Sequence, residues 1–299
     1  MLQSILEDVR REFRLGNMVT RIAIVNIAAF VIINLVRLGF WITNAGQVHP
    51  FYYQIRRYLT LSSDPWFDLT HPWVFITAMF LHEGFWHLLW NMLFLYWFGR
   101  IVGDLIGNHR ILPIYLLGGL FAGLVFVGSA QLFHYGAAGE IYALGASGAV
   151  MALVMAAGVI APDYRIHLLI IGEVKLKYVV AVLLFIDLIS LAGNVNTGGH
   201  FAHLGGALFG YLFIVILRQG YDLGIGINNL EAGVMSLFQR RERRPRLVYR
   251  NDSRPAKNTP IVPDNTQTKL DAILEKIKHK GIEALTPAEK DFLDNQSKT

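Results

Sequence analysis

Between residues 20 and 217 the chain alternates long apolar runs with short polar breaks. A helix rising 1.5 Å per residue needs about 20 apolar residues to cross ~30 Å of hydrocarbon. The pattern therefore predicts spans over 20–40, 85–103, 111–133, 143–161, 178–191 and 201–217, the fifth being the shortest. Residues 41–84 mix aromatic, charged and turn residues, which predicts a large loop lying partly in the membrane interface. Tyr52, Tyr53, Trp66 and Trp73 suit that depth. Residues 1–19 are polar, carry Arg10, Arg11 and Arg14, and lack the apolar core and small-residue cleavage site of a secretory signal peptide. They read as a cytoplasmic lead-in to a membrane domain over 20–220.

After Tyr221 the pattern turns polar, and Pro245, Pro255, Pro260 and Pro263 mark a basic linker over 221–267. A small cytoplasmic helical hairpin is predicted over 268–299. Its first helix has Leu270, Ile273, Leu274 and Ile277 at amphipathic spacing. Its second opens Thr286-Pro287-Ala288-Glu289, a capping residue, a proline at the first helical position and the glutamate of a capping box. Amphipathic faces without reactive groups suit an accessory module that docks on a partner or a second copy. The chain has no internal repeat and no low-complexity tract.

Composition sharpens this picture. Of 299 residues, 54% are hydrophobic and only 16% charged, against ~25% charged in a soluble protein. An all-α polytopic membrane protein is the class that fits. With no cysteine, disulfides, thiolate metal sites and a cysteine nucleophile are excluded. The net charge of +5 is concentrated after the last apolar run in Arg240, Arg241, Arg243, Arg244, Arg246 and Arg250. Such a cluster faces anionic membrane lipid at a cytoplasmic flank rather than nucleic acid. Basic residues also set the orientation. With the N-terminus inside, the inner connections hold Arg100, Arg110, Arg165, Lys175 and Lys177, while 134–142 and 192–199 outside hold none. Arg56 and Arg57 in the long first loop are the exception. Both termini are thus expected in the cytoplasm.

Polar side chains inside spans are costly, so each is a functional candidate. Span two carries His87 and Asn91, four residues apart and on one helix face. Span four opens Gly145-Ala146-Ser147-Gly148, and span six opens with Gly199, His200, Phe201, Ala202, His203, Leu204, Gly205 and Gly206, followed by Gly210. The topology puts Ser147, His203, His87 and Asn91 at similar depth below the outer surface. Gly148, Ala152 and Ala156 on span four, and Ala202, Gly206 and Gly210 on span six, form small-residue stripes that let the two backbones approach closely. A hydroxyl and an imidazole within ~2.6–3.2 Å form a minimal nucleophile and base. His87 and Asn91 have the N–H groups of an oxyanion site. Taken singly, each of these residues reads as helix packing; it is their shared depth and complementary chemistry that point to catalysis. Asp187 and Asp104 read as helix-pairing or capping groups, and His82, His134 and His200 as interfacial. The run His82-Glu83-Gly84-Phe85-Trp86-His87 looks like a zinc motif, but that motif needs histidines at i and i+4. At i and i+5 no zinc site is expected, and neither a metal nor another cofactor is called for.

The H-x4-H-x3-N pattern of His82 to Asn91, the Gly-Ala-Ser-Gly of span four, and Ala202-His203-Leu204-Gly205-Gly206 with Gly210 resemble the three signatures of rhomboid intramembrane serine proteases. The resemblance covers about 55–217, including Trp73 to His82 and Gly118-Gly119. It implies a six-span, rhomboid-like bundle with a water-accessible cavity opening outward. It implies Ser147 as nucleophile, His203 as base, and His87, Asn91 and the Ser147 amide as oxyanion donors, with transmembrane proteins as substrates. Gly145, Gly148, Gly206 and Gly210 would support the site. Two positions depart from the pattern. Met151 stands where many members carry an aromatic thought to stack on the histidine, and Val74 follows Trp73 where arginine is frequent. An inactive rhomboid-like protein that holds membrane clients is the alternative from another class. A transporter would be expected to show repeat symmetry, which the sequence lacks.

Overall fold

Each apolar run folds as a helix in the computed structural model, which describes residues 7, 9, 11–13, 16–135, 139–168, 172–193, 196–238 and 265–296. In chain order these helices are α1 (Met18–Thr43), α2 (Phe85–Ile106), α3 (Ile111–Phe133), α4 (Ser147–Ile160), α5 (Leu176–Ser190) and α6 (Thr197–Arg218). Stretches Met18–Thr43, Asn108–Phe133, Leu176–Gly193 and Thr197–Arg218 are long and apolar enough to cross a membrane. The chain is accordingly a mostly helical integral membrane protein. Helix α2 has comparable length but carries Arg100 and Asp104. Helix α4, with 14 residues, reaches only about 21 Å. It begins at Ser147, four residues later than the apolar run suggests, because Tyr142 and Ala143 pair as a strand instead.

The short helix is the centre of the bundle. Ala152, Leu153, Val154, Ala156 and Ala157 have no solvent exposure, and α4 packs against α2, α3 and α6. Lipid gives helices no hydrophobic reason to associate, so contact must come from close packing and dispersion. Glycines make that possible. A Cβ on Gly206 would lie 2.0 Å from Gly148 O, one on Gly210 2.1 Å from Ala152 O, and one on Gly118 2.4 Å from the Ala152 Cβ.

The long first loop carries short helices of its own. Helices Pro50–Arg57 and Pro65–Thr70 start at prolines whose preceding residues, His49 and Asp64, accept hydrogen bonds from Phe51 N–H and Trp66 N–H. The turn Val74–Thr77 follows. Tyr53, Trp66 and Trp73 are exposed, whereas Tyr52 is buried beside Ile33 and Leu81. The Trp73 indole N–H donates to Tyr58 O at 2.9 Å, and the Thr77 hydroxyl to Leu59 O at 2.9 Å.

A buried polar network ties this loop to the bundle. Asn26 on α1 donates to the Tyr115 hydroxyl on α3 at 3.2 Å, and that hydroxyl donates to Met79 O at 3.1 Å. Asn26 and Tyr115 are both fully buried. Tyr115→Phe would leave the amide and the carbonyl without this partner, which costs about 1–3 kcal/mol. A lower Tm in detergent is the expected result, and an unchanged Tm would mean that water or lipid replaces the hydroxyl.

The chain divides into two units, Met1–Arg240 and Arg241–Thr299. The first extends into the expected linker, because Ile225–Phe238 forms a further helix, α7. Its Gly and Asn content reads as loop, yet its start is fixed by Asp222, which pairs with Arg110 at 2.9 Å and accepts from Gly224 N–H at 2.8 Å. Residues 239–264, with the arginine cluster and the four linker prolines, lie outside the described residues. In the second unit α8 (Asn265–Lys280) and α9 (Pro287–Gln296) follow each other through a turn. Glu289 accepts from Thr286 N–H at 2.7 Å and from Lys276 Nζ at 2.8 Å. The Lys276 ammonium and the Thr286 donors hold its carboxyl well below the usual range.

Candidate active site

Ser147 owes its place to the segment before it. Leu61–Ser62 pairs antiparallel with Tyr142–Ala143, so the first loop grips the approach to α4. Ser63 N–H donates to Ile141 O at 2.9 Å, and Glu140 holds Arg57 at 3.0 Å and the Ser62 hydroxyl at 2.6 Å. Closer in, Gly145 N–H donates to Ala78 O at 2.8 Å, and Ala146 N–H to His82 Nε2 at 3.4 Å. Gly145 has φ +118°, and a Cβ there would lie 2.7 Å from the His87 ring. Only glycine satisfies both conditions. The helical ladder begins with Val150 N–H to Ala146 O at 2.8 Å, so the Ser147 amide stands at the open, electropositive end of α4.

A cavity of about 810 Å³ lies above this end and is lined by Ser147, His203, His87, Asn91, Asp187 and His200, among others. All four residues singled out as reactive in the sequence thus share one chamber. Of the supporting glycines, Gly145 and Gly148 line it; Gly145 lies against His87, while Gly206 lies against Gly148 and Gly210 against Ala152 where α6 meets α4. Asn91 is buried, and one of its amide hydrogens is donated to His87 O at 2.8 Å. An amide carries two hydrogens, so the second is available to the cavity.

Three residues matter more than their sequence context suggests. His82, expected at the interface, is buried and braces the Ala146 amide; its ring lies 5.0 Å from that of His87, edge to face. Asp187 is buried in α5, and its Oδ1 accepts from His203 Nδ1 at 2.9 Å and His200 Nδ1 at 2.8 Å. The only advance signal was a lone acid in the middle of an apolar helix. The three ligand atoms lie within 4.8 Å of one another and could in principle hold a divalent cation. Their 2.8 and 2.9 Å separations are those of charge-assisted hydrogen bonds.

Comparison with known proteins gives the site a family context. Residues 69–220 match the Rhomboid domain, and residues 264–299 match a family of unknown function, DUF6576. The chain is 30% identical over 153 residues to the candidate rhomboid protease YdcA of Bacillus subtilis, covering 50% of this chain and 71% of the relative. It is 29% identical over 155 residues to the chloroplastic Rhomboid-like protein 11 of Arabidopsis thaliana, covering 48% and 52% of the two chains. With the RHOMBOID-like protein 2 of the same plant the identity is 32% over 163 residues, covering 52% and 47%. The chain thus spans about half the length of the two plant relatives.

Proposed function

The chain belongs to the rhomboid family, and we propose from that membership that it is an intramembrane serine endopeptidase that cuts transmembrane proteins. The observation that carries this is the single cavity holding Ser147, His203, His87 and Asn91. Helices α2 and α4 complete a six-span bundle with both termini cytoplasmic and the site opening outward. The ~21 Å reach of α4 leaves a shortfall of about 9 Å against the ~30 Å hydrocarbon. That shortfall falls at Ser147, where water can enter a depth that lipid otherwise keeps dry. The basic ends support the orientation: Lys175 and Lys177 pair with Asp163 at 3.0 and 2.9 Å beyond the opposite end of α4.

In the proposed reaction Ser147 Oγ attacks the scissile carbonyl carbon, and His203 Nε2 takes the hydroxyl proton. Negative charge then develops on the carbonyl oxygen. The Ser147 amide, the His87 ring N–H and the second Asn91 amide hydrogen are the donors suited to receive it. As the C–N bond breaks, His203 returns the proton to the leaving amine. Water, deprotonated by the same imidazole, then hydrolyses the acyl-enzyme. Cleavage of a transmembrane substrate by the purified protein in liposomes tests this, and the absence of cleavage across a panel of such substrates would contradict it.

Loss of one oxyanion donor commonly lowers turnover ~10²- to 10³-fold. Asn91→Ala and His87→Ala are each expected to slow cleavage by that order while the serine still reacts with a fluorophosphonate. Wild-type turnover in both would reduce α2 to scaffolding.

A further inference from the structure

We propose that Asp187 is the positioning residue of the catalytic base: its carboxylate fixes the tautomer and direction of His203 and stabilises the imidazolium formed during the reaction. The inference rests on the proteolytic function proposed above. Asp187 sits in LKYVVAVLLFIDLIS, a helix otherwise apolar from Val179 to Ile189, and is 6% exposed. A carboxylate at membrane depth is costly unless its lone pairs are used. Here one oxygen accepts from two imidazoles, His200 and His203, which lie three residues apart on one face of α6.

An ionised carboxylate can only accept hydrogen bonds. Each Nδ1 facing it must therefore carry hydrogen, which leaves the His203 Nε2 lone pair free. That is the tautomer a base needs to take the proton of Ser147, and it is fixed by Asp187 rather than by the serine. When Ser147 transfers its proton, a cationic imidazolium stands beside an anionic carboxylate, so the charge separation created by the attack is partly balanced within the site. Other restraints on the ring are weaker. Met151 lines the cavity and offers no ring to lie against His203, and the His200 ring meets that of His203 only edge to face, with centroids 5.9 Å apart. The Nδ1 hydrogen bond is the directional hold.

The test is Asp187→Asn and Asp187→Leu beside wild type, measuring kcat, KM and Tm on a transmembrane substrate. An amide keeps the shape but can donate toward Nδ1 and so favour the wrong tautomer. Leucine removes the acceptor altogether and leaves both imidazole N–H groups without a partner, which lowers stability. We expect kcat to fall about 10²- to 10⁴-fold in both, with KM within about threefold and, in Asp187→Asn, Tm near that of wild type. Wild-type kcat in well-folded Asp187→Asn would overturn the assignment, as would a fall in kcat that merely tracks a fall in Tm. If EDTA abolished wild-type activity and zinc restored it, the cluster would be a metal site and the assignment would also fail. Failure of the wild-type enzyme itself to cleave, or to react with fluorophosphonate, would instead contradict the proteolytic function, so the two failures are separable.

Discussion

Ser147→Ala is expected to lower cleavage of a transmembrane substrate by about 10⁴-fold or more, to the limit of detection, with expression and Tm unchanged. Loss of a serine nucleophile leaves only whatever catalysis the oxyanion donors and binding provide. The fold should tolerate the change, because Ser147 opens α4 among small neighbours and the anchoring contacts belong to Gly145, Ala146 and Gly148. Alanine also favours the helix. His203→Ala should be about as inactive, since the hydroxyl loses its base. Gel or mass-spectrometric quantitation of product in liposomes checks both, and measurable cleavage by purified Ser147→Ala would remove the serine from the chemistry.

The second large effect acts through distance. Gly206→Leu is expected to lower turnover by at least ~10²-fold and to lower Tm, although no reacting group is touched. A Cβ at this position already falls 2.0 Å from Gly148 O, so even alanine forces α6 away from α4. Backbone cannot give way as a flexible side chain can, and overpacking of this kind costs ~1–3 kcal/mol or more. Because Ser147 and His203 sit on the two helices being separated, a shift of ~1 Å can cost ~10² in rate. Gly210→Leu should behave alike, its Cβ being 2.1 Å from Ala152 O. A fully active, stable Gly206→Leu protein would show that the helices do not approach as described.

Much of this site can be read from one sequence because it violates the pattern around it. Ser147, His203, His87 and Asn91 are polar in apolar runs, and Gly148, Ala152 and Ala156 on one helix and Ala202, Gly206 and Gly210 on another repeat at the four-residue interval that suits close helix packing. What was hidden depends on distances across the fold. Asp187 pairs helices as its sequence context suggests, but that its partners on α6 are His200 and His203 depends on the register of α5 against α6. His82 looks interfacial because nothing local says that the turn at Ala146 will bury it. The pairing of Leu61–Ser62 with Tyr142–Ala143 joins two-residue strands some 80 positions apart, too short and too distant for alternation to register. His82 and His87 of the zinc-like run meet edge to face, with ring centroids 5.0 Å apart.

The most direct measurement is to treat the purified protein with a fluorophosphonate and map the adduct by mass spectrometry. A phosphonylated Ser147 is expected in wild type, with no adduct in Ser147→Ala and little in His203→Ala, because the hydroxyl reacts only when an imidazole takes its proton. An adduct on another residue, or equal labelling of Ser147 without His203, would contradict the account.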